Sequence, residues 1–187
     1  MSFYRRCVQR HLFADRSRRS RQYLAKNPAL TPKIDTLYEF FPDARIVYLV
    51  RNPFEAIPSF ASMMEFSWRA VGVPVLEAEL REFLLEMAGH WYRYPLERLQ
   101  DEPEDRQMIV SYDQLVRDPE AVVGEIYRRF GFDMDQGFAQ SLHELSTRAL
   151  GYTSRHDYDE TVLGLDRQRI IDEFADILDR FGFDSPD

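Results

Sequence analysis

Apolar positions along the 187 residues change period several times, and each change marks an element. Tyr4, Val8 and Leu12 recur at i, i+4 and i+8, which predicts a short helix over residues 3–13, followed by a charged loop through Arg21. Gln22 to Ala25 reads as a short strand ending at Lys26. Thr31 followed by Pro32 predicts an N-cap with proline at the first helical position. Ile34, Leu37, Tyr38 and Phe41 give the ensuing helix one apolar face, and Pro42-Asp43 breaks it. Ile46-Val47-Tyr48-Leu49-Val50 is an unbroken run of β-formers, the pattern of a strand covered on both faces.

Helix is expected again from Asn52, with Glu55 three residues on as a capping-box partner. Pro58 should bend that helix, because it has no N–H for the carbonyl four residues back. Residues 76–100 predict a long amphipathic helix with Leu76, Leu80, Phe83, Leu84, Met87 and Trp91 on one side. Met108 to Ser111 makes a second buried strand. Asp118-Pro119 opens a helix that closes at Gly131, and residues 166–181 form a last helix closed by Gly182. Strands separated by helices predict an α/β fold with a parallel sheet. No internal repeat or low-complexity segment interrupts the pattern.

Composition narrows the class. A chain of 187 residues, 44% hydrophobic and 14% aromatic, is a single globular domain over residues 1–187. A lone cysteine, Cys7, rules out an internal disulfide and is the usage of a reducing compartment. There is no apolar run near the ~20 residues that span a bilayer, and no apolar signal-peptide core. A cytoplasmic protein without membrane partners is the expectation. Residues 1–35 carry seven arginines and two lysines against Asp15 and Asp35, a balance of +7 inside a chain of net −8. Residues 1–21 form a basic leader, and the acidic remainder would repel a nucleic-acid backbone, so no nucleic-acid partner is expected.

Candidate chemistry concentrates between Lys26 and Ser59. In an open parallel sheet, ligands bind beyond the carboxyl ends of the strands, where Arg51 falls. Its planar fork can make paired bonds to a phosphate. The helix beginning near Pro53 is expected to add free N–H groups and the positive end of its dipole, and Ser59 a hydroxyl. Taken alone, these residues fit better a strand-end arginine paired with an acid and a serine on a solvated helix face. Elsewhere His11, His90, His143 and His156 are scattered without metal-ligand spacing, so no metal is expected. His156 beside Arg155 is a further pocket candidate, whereas Trp68, Trp91 and Met63-Met64 read as core.

The order of motifs is more specific. A K-x-P turn at Lys26, a helix, Phe41-Pro42-Asp43-Ala44-Arg45, an apolar strand and Arg51-Asn52-Pro53 with Ser59 eight on from the arginine occur in that order. Further on comes SYDQLVRDPEAVVGEIYRRFGF, from Ser111 to Phe132, and then the tail around Arg155-His156-Asp157-Tyr158 and Gly164-Leu165. From about Tyr23 onward the chain resembles sulfotransferases that use 3′-phosphoadenosine 5′-phosphosulfate (PAPS), in particular the bacterial and tyrosylprotein sulfotransferase branch. The resemblance implies a three-layer, P-loop-NTPase-like α/β fold and transfer of a sulfuryl group from PAPS to a hydroxyl or amine. It implies that Arg51 and Ser59 bind the 3′-phosphate and that Tyr112 lies near the nucleotide, although Tyr112 equally fits a core tyrosine. It also places Lys26 as the cation that stabilises the transferring group, against the plainer reading of a surface lysine before a turn.

Two departures qualify what is implied. Met63 stands where many members carry another basic residue. The eight glycines begin at Gly72, so no G-x-x-R-S-G-T-type loop precedes Lys26 to cradle the 5′-phosphosulfate. The acceptor-activating carboxylate that follows such a loop has no counterpart, and a Walker A motif is excluded on the same count. The fold is therefore expected to be incomplete at its N-terminus, with the loop-bearing strand missing between the strands at 22–25 and 45–50. Three readings follow: a sulfotransferase with little turnover as the isolated chain, a non-catalytic 3′-phosphate-binding module needing a partner chain, or the product of a mis-called start.

Overall fold

A computed structural model of the chain describes residues 1–14, 22–72, 77–149 and 164–183. Helix α1 spans Ser2–Ala14, and a 3₁₀ helix over Pro28–Lys33 leads into α2, Ile34–Phe40. Strand β1, Ile46–Val50, is followed by α3, Pro53–Ala70, and α4, Glu77–Leu99. Strand β2, Gln107–Ser111, is followed by α5, Tyr112–Arg117, α6, Pro119–Phe130, α7, Gln136–Ala149, and α8, Arg167–Phe181. The fold is a mostly helical α/β arrangement around a small parallel sheet, β1 beside β2, with Ile46 opposite Gln107 and Val50 opposite Ser111.

Parallel pairing needs a long crossover, and α3 and α4 provide it. Asn52 opens α3 by accepting from the Phe54 N–H at 3.1 Å, with Pro53 at the first position. The helix then runs unbroken through the buried Pro58. One apolar cluster joins Val50 of β1, Phe54, Ile57 and Ala61 of α3, Leu80, Leu84, Tyr92 and Leu96 of α4, and Ile170, Phe174 and Ile177 of α8. Asp118 caps α6 by accepting from the Ala121 N–H, and Gly131 ends it at φ 66°, a left-handed position that glycine takes without cost. Asp166 and Gly182 do the same for α8.

Several expectations are corrected. Residues 22–27 form no strand, and Leu24 there is 92% exposed. Four residues hold an extended conformation only when a neighbour takes their N–H and C=O groups, and β1 pairs with β2 alone among the described residues. Strand β1 is not covered on both faces: Tyr48 and Val50 face the core, but Val47 and Leu49 are 41% and 42% exposed. Asn27, not Thr31, caps the first helical turn, its side chain accepting from the Ala29 N–H at 3.1 Å. Phe83 is half-exposed beside Trp68, because the buried strip of α4 turns through Leu80, Leu84, Leu85, Tyr92 and Leu96. Helix α7 is not among the expected elements, although Phe138, Leu142 and Leu145 recur at helical spacing along it. The tail around Arg155 and His156 lies outside the described residues. Among the described residues no helix is long and apolar enough to cross a membrane, and no cluster of three or more His, Cys, Asp or Glu could hold a metal.

Ion pairs fasten the helices at the rim. Arg93 of α4 donates to both carboxylate oxygens of Asp176 on α8, at 2.9 and 2.8 Å, and Arg98 of α4 pairs with Asp35 of α2. The Arg93 hydrogen bond holds the Asp176 carboxyl below its ordinary value.

Two consequences are measurable. Phe174 is fully buried at the centre of the cluster, so Phe174→Ala should lower the urea unfolding free energy by about 3–5 kcal/mol. Leu49→Ala, on the open face, should cost about 1 kcal/mol or less. Because the folded pKa of Asp176 is depressed, its contribution is present above the unfolded carboxylate pKa of about 3.9 and is lost as pH falls through the folded value. Both partners are substantially exposed, so Asp176→Asn should cost at most about 1 kcal/mol at pH 7. The gap to the wild type should narrow when unfolding is repeated near pH 3; a gap that persists there would remove the ion pair from the account.

Candidate functional site

The last paired residues of the sheet are Val50 and Ser111, so the register places Arg51 opposite Tyr112 just beyond the strand ends. The contact is made: the Arg51 guanidinium lies 5.1 Å from the centre of the Tyr112 ring. The Nε of Arg51 donates to Glu55 one helical turn on, at 2.9 Å. Its carbonyl accepts from the Tyr92 hydroxyl at 2.7 Å. The arginine is thus held at backbone, Nε and ring face by three elements, β2–α5, α3 and α4.

Ser59 lies half-buried on α3, four residues beyond Glu55, so Glu55 and Ser59 share one strip of the helix. Lys26 lies in the exposed segment 22–27 with no ion-pair partner among the described residues. The structure therefore brings Arg51 and Tyr112 into contact and sets Ser59 on the adjoining helix, while Lys26 stays on a separate exposed segment.

The helix N-terminus departs from expectation. Pro53 has no N–H, the Phe54 N–H is taken by the Asn52 side chain, and the Glu55 and Ala56 N–H groups both donate to the Asn52 carbonyl at 3.0 and 2.9 Å. The first turn of α3 thus spends its donors on its own cap. The turn therefore offers an anion the dipole of the helix but no cradle of free amides.

Glu55 has a different role from the capping partner expected of it: its carboxylate meets Arg51. The pair is half-exposed, and such pairs contribute about 1 kcal/mol or less. The i, i+4 spacing of Arg51 and Glu55 signals this pair in the sequence. Nothing in the sequence signals Tyr92, which lies 41 residues away and reads as an ordinary member of an apolar helix face.

Burial raises the pKa of both Tyr92 and Tyr48, so each phenol stays protonated and donates. The Tyr48 hydroxyl donates to the Trp91 carbonyl at 2.9 Å, so neighbouring residues of α4 tie to β1 and to the turn that follows it. A separate groove of about 480 Å³ lies between Ser111, Asp113 and Arg117 on one side and Arg180, Gly182 and Phe183 on the other. None of Lys26, Arg51, Ser59 and Tyr112 lines it.

Comparison with known proteins bears on what this strand-end arrangement serves. The chain is 26% identical over 170 residues to the omega-hydroxy-beta-dihydromenaquinone-9 sulfotransferases Stf3 of Mycobacterium bovis and Mycobacterium tuberculosis. The match covers 89% of this chain and 42% of each relative, so the chain spans about two fifths of their length. Its fold is similar to the crystal structure of sulfotransferase STF9 from Mycobacterium avium, with a TM-score of 0.69 at 20% identity, over 85% of this chain and 41% of that one. Residues 3–136 match the model of the sulfotransferase family, a span that includes β1, the Arg51 turn, α3 and β2, and the chain belongs to that family.

Proposed function

We propose that the chain takes part in sulfuryl transfer from PAPS to a hydroxyl or amine acceptor, and that it binds the donor's 3′-phosphate beyond the end of β1. The observation that carries this reading is Arg51, placed by the parallel register against the Tyr112 ring and tied to α3 through Glu55. In this reading Arg51 exchanges its carboxylate contact for the phosphate, and Ser59 donates its hydroxyl from the next turn. The adenosine lies toward Tyr112. Lys26, exposed beside the turn capped by Asn27, reaches the transferring group when the donor is seated.

Transfer breaks the bond between sulfur and the bridging phosphate oxygen and forms one between sulfur and the acceptor oxygen or nitrogen. The acceptor loses its proton and adenosine 3′,5′-bisphosphate leaves. Negative charge grows on the bridging oxygen, which is where a cation such as Lys26 lowers the barrier. The Stf3 proteins are named for a hydroxylated dihydromenaquinone, and a hydroxyl acceptor is the first class to test here.

The reading also covers what these residues leave undone. With no glycine before Gly72, the 187 residues hold no Gly-rich loop for the 5′-phosphosulfate, and a complete three-layer sheet needs strands beyond β1 and β2. Holding donor and acceptor in line supplies roughly 7–11 kcal/mol of barrier lowering, and anchoring the 3′ end alone does not orient the sulfur. We therefore assign donor anchoring, rather than orientation of the sulfur, to the residues around Arg51.

Two measurements test the reading. Calorimetric titration with adenosine 3′,5′-bisphosphate should show binding that Arg51→Ala weakens by at least about tenfold, since a charge-assisted contact contributes about 1.5–3 kcal/mol. Arg51→Lys should restore only part of it; unchanged affinity in Arg51→Ala would remove the site. Incubation of the 187-residue chain with labelled PAPS and a panel of hydroxyl and amine acceptors should give little or no transfer. Robust transfer that depends on Lys26 would show that the donor loop lies within the chain.

A further inference from the structure

The carbonyl of Arg51 occupies an awkward place. The β1–β2 ladder ends at Val50, and the acceptor for the first helical N–H groups of α3 is the carbonyl of Asn52. The carbonyl between them lies in a partly buried turn, where an acceptor needs a partner. The Tyr92 hydroxyl supplies the partner at 2.7 Å. Tyr92 is itself fixed: the residue is 8% exposed, and its ring meets Phe174 edge-on at 5.6 Å, at the centre of the apolar cluster. The core of α4 and α8 thus reaches the backbone of the one residue that carries the anion-binding fork.

We infer that Tyr92 is a positioning residue of the anion site, fixing the Arg51 turn through its hydroxyl so that the guanidinium stays between Tyr112 and α3. This deepens the 3′-phosphate reading and rests on it. The side chain of Arg51 is long, and its pairing with Glu55 and its contact with the Tyr112 ring act on its head. A fixed Cα limits the arc over which that head can move, which lowers the ordering cost of holding a phosphate. Tyr92 makes no contact with the ligand in this scheme, so its loss should reduce recognition of the 3′-phosphate selectively. Burial keeps the phenol protonated, so the tie persists across the neutral range.

The test compares adenosine 3′,5′-bisphosphate with adenosine 5′-phosphate, which differ only in the 3′-phosphate, by calorimetry on the wild type, Tyr92→Phe, Tyr48→Phe and Arg51→Ala. Tyr92→Phe removes one hydroxyl and should cut the preference for the bisphosphate about fivefold while leaving 5′-phosphate affinity unchanged. It should have no further effect when added to Arg51→Ala. Tyr48→Phe removes the neighbouring tie, to the Trp91 carbonyl, and should leave the preference unaltered even where it lowers stability. If Tyr92→Phe keeps the full preference, or if Tyr48→Phe reduces it equally, Tyr92 is a structural residue only. If the wild type shows no preference, or Arg51→Ala keeps it, the 3′-phosphate reading fails and the inference falls with it.

Discussion

Parallel pairing of β1 with β2 is the constraint on which the rest of this structure depends. Two parallel strands cannot be joined by a tight turn, so the chain leaves β1 through α3, returns along α4 and enters β2 in the same direction. The crossover buries Phe54, Ile57, Leu84 and Leu96 against Val50. Running in one direction also puts both strand ends on the same side, and the register then sets Arg51 beside Tyr112. An arginine and a tyrosine 61 residues apart in sequence meet because of where a five-residue ladder stops.

The same crossover supplies the supports around the arginine. Helix α3 brings Glu55 and Ser59, and α4 brings Tyr92 to the Arg51 carbonyl. What the turn does not provide is a set of free backbone amides, because Asn52 and Pro53 consume or lack them. In the proposed reading, recognition of an anion here rests on side chains, with Arg51 foremost because a guanidinium contact is charge-assisted and can be bidentate. The proposed donor, PAPS, would present a phosphate as that anion.

Much of this was legible in the sequence wherever local chemistry decides the outcome. The apolar run at 46–50, the Asn52-Pro53 helix start, the Asp118-Pro119 start with its Gly131 stop, and the Gly182 stop each rest on contacts a few residues long. The failures share a different origin. Residues 22–25 have strand-like composition, but a strand exists only with a partner, and none lies beside them among the described residues. An apolar run cannot say whether both its faces are covered, and Val47 and Leu49 are not. Asn27 took the cap expected of Thr31 because a 3₁₀ turn over Pro28–Lys33 precedes α2. Tyr92 was invisible as a site residue because its partner is set by tertiary packing alone.

The central claim is that the end of β1 is a phosphate site built on Arg51, and a crystal structure of the chain with adenosine 3′,5′-bisphosphate tests it most directly. The account predicts the 3′-phosphate within hydrogen-bond distance of the Arg51 guanidinium and the Ser59 hydroxyl, with the Tyr92 hydroxyl still on the Arg51 carbonyl. A nucleotide seated elsewhere, such as the groove between Arg117 and Arg180 with Arg51 still paired to Glu55, would contradict it.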